Sequence, residues 1–140
     1  MPILSSIPVL TCHSILQTQD FYQQLLQFVT VNKREVEGQL QWVHLMHSDT
    51  ALMLEKAEPG LEAESEASVD DEPSKIALYF FVDDIEALHH RLKLKHPSVS
   101  DIALTDYRMK EFTMFDPEGN RVVIGQTDGQ VDTVSFEERC

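Results

Sequence analysis

Cysteine is scarce in this chain: Cys12 and Cys140 are the only two, and no C-x-x-C pair occurs. That is not a disulfide framework, and a reducing compartment fits best. Positive charge is scarce as well, with 11 Lys and Arg against 24 Asp and Glu and a formal net charge of −13. Such a surface repels phosphate backbones and anionic membranes, so neither nucleic acid nor membrane is an expected partner. No run approaches the roughly 18 apolar residues of a membrane helix. The opening stretch MPILSSIPVLTCHS has no basic n-region and no long apolar run before a small-residue cleavage site, so a cytoplasmic location is expected. What is present is ordinary for a globular protein. At 42% hydrophobic and 25% charged, 140 residues suffice for one domain or two small half-domains sharing a core.

Residues 3–12 are mostly apolar and short, as a buried strand is. Ser14 follows as a candidate N-cap, with Gln17 spaced to close a capping box. Ile15, Thr18, Tyr22, Leu25 and Leu26 recur at helical spacing, which predicts an amphipathic helix over 15–26. Strand-like stretches then cover 28–37, 40–47 and 51–56, with Glu37-Gly38 and Ser48-Asp49 between them as turns. Residues 57–75 break the pattern: seven acids, two prolines and a glycine, with little to fill a core, read as a solvated linker.

After the linker the order repeats. Residues 76–82 form a strand, Asp83 and Asp84 cap a helix carrying Ile85, Leu88 and Leu92, and 99–104, 109–115 and 121–126 form three more strands. Asp116-Pro117-Glu118-Gly119-Asn120 is a turn, and the tail over 127–140 is polar. Ser14-Ile15 and Asp84-Ile85 hold the same place in two modules, over 1–56 and 76–126. The expected class is α+β, two tandem β-α-β-β-β modules, each sheet covered by a helix on one face.

Several segments carry a family resemblance. Ile7-Pro8-Val9-Leu10 through Phe21-Tyr22, then Leu25-Leu26-Gln27-Phe28, resemble the opening of bleomycin-resistance proteins. Phe81-Val82-Asp83-Asp84-Ile85, Tyr107 through Lys110-Glu111-Phe112, and Phe115-Asp116-Pro117-Glu118-Gly119-Asn120 resemble their second half. The family is the glyoxalase/bleomycin resistance/dioxygenase (vicinal oxygen chelate) superfamily. Gln27 stands where the family usually has Gly, and Arg108 where a Gly often follows the aromatic residue, which puts local turn geometry in question. The resemblance implies sheets curving into a cleft, and homodimers that often exchange modules. It does not fix the function, since the superfamily holds isomerases, dioxygenases, thiol transferases and metal-free drug-sequestering proteins.

In metal-dependent relatives four side chains hold a divalent ion. Aligned on the pre-helix signatures, their positions fall on Ile7, Ala77, Val123 and approximately Glu55. Three of these offer no donor, so neither a metal nor another cofactor is expected. His89 and His90 are adjacent on a helix, and His44 and His47 face opposite sides of a strand, so they do not rescue a site.

Strand alternation places Trp42, His44, Met46, Met53 and Glu55 on the cleft side of module one, with Val43, Leu45, Leu52 and Leu54 behind. In module two it places Ala77, Tyr79 and Phe81 there, with Leu78, Phe80 and Val82 on the helix. Tyr107 and Phe112 are placed near the rim. The expected ligand-binding set is therefore Trp42, His44, Glu55, Tyr79, Phe81, Tyr107 and Phe112. It suits a planar aromatic small molecule, cationic ones included. Burial of these rings in a closed dimer core, and pairing of a surface Glu55 with Lys56 or another base, are the plainer alternatives. The leading expectation is a non-catalytic, antibiotic-resistance type of binding protein. A glyoxalase-like lyase or dioxygenase, or a metal-free enzyme using Glu55 or His44 as base, remains the alternative.

Overall fold

The computed structural model describes residues 1–57 and 76–127. The acidic stretch expected as a linker, from residue 58 on, and the tail beyond 127 lie outside the described residues. Two units are present. The first holds 1–57 together with Asp116–Glu118, and the second holds 76–115 and 119–127.

In the first unit the order is β1 (Val9–Cys12), α1 (Ile15–Leu26), β2 (Val29–Val36), β3 (Gln39–His47) and β4 (Thr50–Lys56). The second runs β5 (Ala77–Phe81), α2 (Ile85–Lys95), β6 (Ala103–Leu104), β7 (Met109–Phe115) and β8 (Arg121–Thr127). Each unit builds one four-stranded sheet, ordered β1-β4-β3-β2 and β5-β8-β7-β6. The first strand of each is parallel to the last, and the other pairings are antiparallel.

Helix α1 spans the residues its periodicity predicts. Ser14 Oγ accepts the Gln17 N–H at 3.2 Å, so the N-cap is in place. The reciprocal bond of the capping box is made differently: the Ser14 N–H goes to Glu118 Oε2 at 3.0 Å. The buried face presents Ile15, Phe21, Tyr22, Leu25 and Leu26. Across it Val43, Leu45, Leu52 and Leu54 are fully buried at alternate positions of β3 and β4. Each such side chain contributes about 1.5–3 kcal/mol on leaving water.

Both family departures sit in left-handed backbone. Gln27 ends α1 at φ 61° and Arg108 precedes β7 at φ 65°, so each takes the conformation in which glycine would be unstrained. Glu37 and Gly38 both have positive φ, as the two-residue β2–β3 hairpin requires.

Two strands are shorter than the apolar runs suggested. β1 begins at Val9, and Ile3 and Leu4 are exposed. β6 is only two residues long, although Val99 is buried. Beside it, Ser100 N–H donates to Thr113 O at 3.0 Å and Thr113 N–H donates to Ser100 Oγ at 2.8 Å. A side-chain oxygen stands in for the ladder carbonyl, so the pairing is not regular there.

Candidate functional site

On the first sheet, the face away from α1 carries the residues that alternate with the buried leucines and valines. Cross-strand register puts Arg34, Trp42, Glu55 and Thr11 in one row. Asn32, His44, Met53 and Val9 form the next. Thr11 Oγ1 donates to Glu55 Oε2 at 3.2 Å. Among the described residues, Glu55 therefore engages a hydroxyl on the neighbouring strand and not Lys56. The Trp42 and His44 rings lie 6.2 Å apart at 48°. His44 Nε2 is buried and has no hydrogen-bond partner among the described residues. This face thus gathers Trp42, His44 and Glu55 as alternation predicts.

On the second sheet, Tyr79 and Phe81 face away from α2. Their rings are 4.9 Å apart and inclined at 51°, and both are exposed. Tyr79 donates to Glu111 Oε2 at 2.6 Å, and Tyr107 donates to the same oxygen at 2.8 Å. Partial desolvation of the otherwise exposed Tyr79, and then its bond to the Glu111 carboxylate, raise the phenol above its ordinary value. For the exposed Tyr107 the bond to Glu111 is the largest cause of a rise in the same direction.

Phe112 does not join this group. It is buried, with its ring 4.9 Å from and nearly perpendicular to that of His89 on α2. Parity within β7 explains why: Phe112 and Met114 turn inward, so Glu111 turns outward. Glu111 is the residue that sequence reasoning passed over, although the same parity would have found it.

A separate surface pocket of about 420 Å³ in the first unit is lined by His13, Leu16, Glu35, Gln39, Leu40 and Lys56 among others. It holds no aromatic ring other than the His13 imidazole and none of the expected site residues.

The sequence model of the Glyoxalase/Bleomycin resistance protein/Dioxygenase superfamily matches residues 9–124. The chain belongs to this superfamily. Solved superfamily-like folds agree. A bleomycin-binding protein complexed with bleomycin superposes with TM-score 0.64 at 20% identity, covering 89% of this chain and 98% of its own. TnmS3, an antibiotic binding protein from Streptomyces sp. CB03234, gives TM-score 0.66 at 19% identity, covering 91% and 100%. A lactoylglutathione lyase from Agrobacterium tumefaciens gives 0.64 at 18% identity, covering 89% and 95%. No curated protein matches by sequence.

The register also tests the superfamily's metal positions. Val9 pairs with Met53, and Tyr79, 70 residues on, pairs with Val123, also 70 residues on. The first-module counterpart of Val123 is therefore Met53, and the approximate assignment to Glu55 is corrected. Ile7, Met53, Ala77 and Val123 offer no imidazole, carboxylate or thiolate, so these positions do not fit a divalent ion. Nor, among the described residues, do three or more His, Cys, Asp or Glu side chains come together as a metal site.

The same comparison sets Trp42 and Glu111 in equivalent places. Trp42 pairs with Glu55, which pairs with Thr11; Glu111 pairs with Gly125, which pairs with Phe81.

Proposed function

We propose that this chain is a binding protein that sequesters a planar aromatic small molecule, as bleomycin-resistance proteins do, without a metal. The observation that carries it is the composition of the helix-free sheet faces. Rings stand beside a carboxylate on each, Trp42 with Glu55 and Tyr79 and Phe81 with Glu111. Rings bind flat ligands by stacking, and carboxylates orient their polar or charged groups. The bleomycin-bound and antibiotic-binding neighbours support the reading through their fold. Phe112 has no part in it, since its ring is packed on α2.

A glyoxalase-like or other enzymatic activity is the second reading. One observation favours it: His44 Nε2 is buried with no hydrogen-bond partner among the described residues, so it is open to a hydrogen bond from a substrate. Against it stands the donor set at the superfamily's metal positions.

Thermal-shift and calorimetric titration of chelator-free protein against planar aromatic compounds and divalent metals separates the two. Sequestration predicts stabilisation by a planar compound, about 2.7 kcal/mol at 100 times its Kd, and loss of that effect in Trp42→Ala. Stabilisation by Zn, Mn, Fe or Ni alone would overturn it in favour of a metal enzyme.

A further inference from the structure

The chemistry around Glu111 is more specific than a ring beside an acid. A carboxylate offers about four acceptor directions on two oxygens. Both phenols, Tyr79 and Tyr107, donate to Oε2, and among the described residues no donor reaches Oε1. Among the described residues, Lys110 Nζ bonds Glu86 Oε2 on α2 at 2.9 Å and makes no bond to Glu111. A fixed carboxylate thus stands among three exposed rings, those of Tyr79, Phe81 and Tyr107.

The backbone is adapted to this arrangement. Gly125 lies opposite both Glu111 and Phe81 in the ladders. The Tyr79 ring lies over it, and a Cβ on Gly125 would come within 2.6 Å of the Tyr79 Cζ. Only a residue without a side chain lets the ring cross to Glu111. The two phenols then hold the carboxylate in one orientation before any ligand arrives, which reduces the ordering cost of binding.

A group that uses everything this site offers carries positive charge, at least one N–H for Oε1, and an apolar body for the rings. An anion meets Glu111 head-on, in a chain of net charge −13. A quaternary ammonium can use the rings but has no hydrogen to donate.

We propose that Glu111, Tyr79, Tyr107 and Phe81 form a recognition site for a protonated primary amine carried on an aromatic or apolar body. This rests on the reading that the helix-free sheet faces bind small molecules, and it names the ligand class one of them takes. Glu111 accepts the ammonium N–H on Oε1, the phenols hold the carboxylate in place, and the rings cover the adjoining carbons.

The test is NMR titration of the full chain at pH 7, following the Tyr79, Tyr107 and Phe81 ring resonances. The probes are 2-phenylethylamine, its neutral analogue 2-phenylethanol, and trimethyl(2-phenylethyl)ammonium. The amine should bind about tenfold more tightly than the alcohol, because a charge-assisted hydrogen bond and a cation–ring contact are added to the same apolar body. The trimethylated probe should fall between the two. Glu111→Gln should remove the amine's advantage and bring its affinity to about the level of the alcohol's. Tyr107→Phe, which keeps the charge, should lose only part of the preference. If Glu111→Gln does not fold, the amine-to-alcohol ratio on the natural chain decides. Equal binding of amine and alcohol there overturns the amine site while leaving aromatic sequestration standing. If no probe moves these resonances, the amine site fails, and aromatic sequestration at this face fails with it.

Discussion

Tyr22 and Asp116 lie 94 positions apart, yet the phenol of one donates to the carboxylate Oδ2 of the other at 2.8 Å, with both side chains buried. Asp116 Oδ1 also accepts the Glu118 N–H at 2.9 Å, so one carboxylate orders its own turn while holding a core tyrosine. Tyr22→Phe should cost about 1.5–3 kcal/mol, the range for a hydrogen bond to a charged group. Burial first, and then the negative charge of Asp116, raise the Tyr22 phenol above its ordinary value. An unfolded tyrosine ionises near pH 10 while the native one keeps its proton, so this contribution is full below pH 10 and falls above it. Urea unfolding at pH 8 and pH 11 should show a smaller alkaline loss in Tyr22→Phe than in the natural chain.

Glu118 governs the acid side. Burial alone would raise its carboxyl. The backbone N–H groups of Ser14 and His13, together with the His13 ring at 2.9 Å, outweigh that and hold it below the usual range. A carboxyl lowered in this way adds stability above its unfolded value near 4.3, and that stability is lost as pH falls through the lower native value. Denaturation at pH 7 and pH 3 should find a smaller acid loss in Glu118→Gln. That variant should also lose about 0.3–1 kcal/mol at pH 7, because the charge sits at the α1 N-terminus.

Gln27 offers a stabilising change. In left-handed backbone an L side chain is strained by roughly 1–2 kcal/mol, part of which glycine gives back in unfolded-state entropy. Gln27→Gly should therefore raise stability by about 0.5–1 kcal/mol, and the β-branched Gln27→Val should lower it. Thermal unfolding midpoints of the two variants, on either side of the natural chain, are the check.

Legibility followed the kind of signal available. Helix α1 could be read because its cap, its period and its end are all local. The inward and outward sides of β3, β4 and β5 followed from alternation alone. The extent of β1 could not be read, because a strand is as long as its partner allows. Only Met53–Lys56 of β4 lie opposite it, so the apolar Ile3 and Leu4 pair with nothing in that ladder. The rim position expected for Phe112 came from the segment it shares with Tyr107, which does not fix which way a strand residue faces; Phe112 turns inward with Met114. Glu111 gained its meaning from Gly125, a contact set by register between strands that sequence spacing does not display.

Gly125 gives the sharpest structural prediction. Gly125→Ala should push the Tyr79 ring off Glu111, because the added Cβ would stand 2.6 Å from the Tyr79 Cζ. Ultraviolet titration should then find a tyrosine ionising closer to its ordinary value than in the natural chain. An unchanged titration would mean the ring had found another path to Glu111.

The equivalence of Trp42 and Glu111 has a consequence for how this architecture acquires new ligands. Each stands on the same rung of a duplicated ladder, outside the leucine, valine and isoleucine layer that holds its own sheet to its own helix. A chain with two copies of one scaffold can change the chemistry on one rung while the other copy keeps its own. Diversification in such a chain is a matter of rewriting rungs, not of rebuilding the ladder.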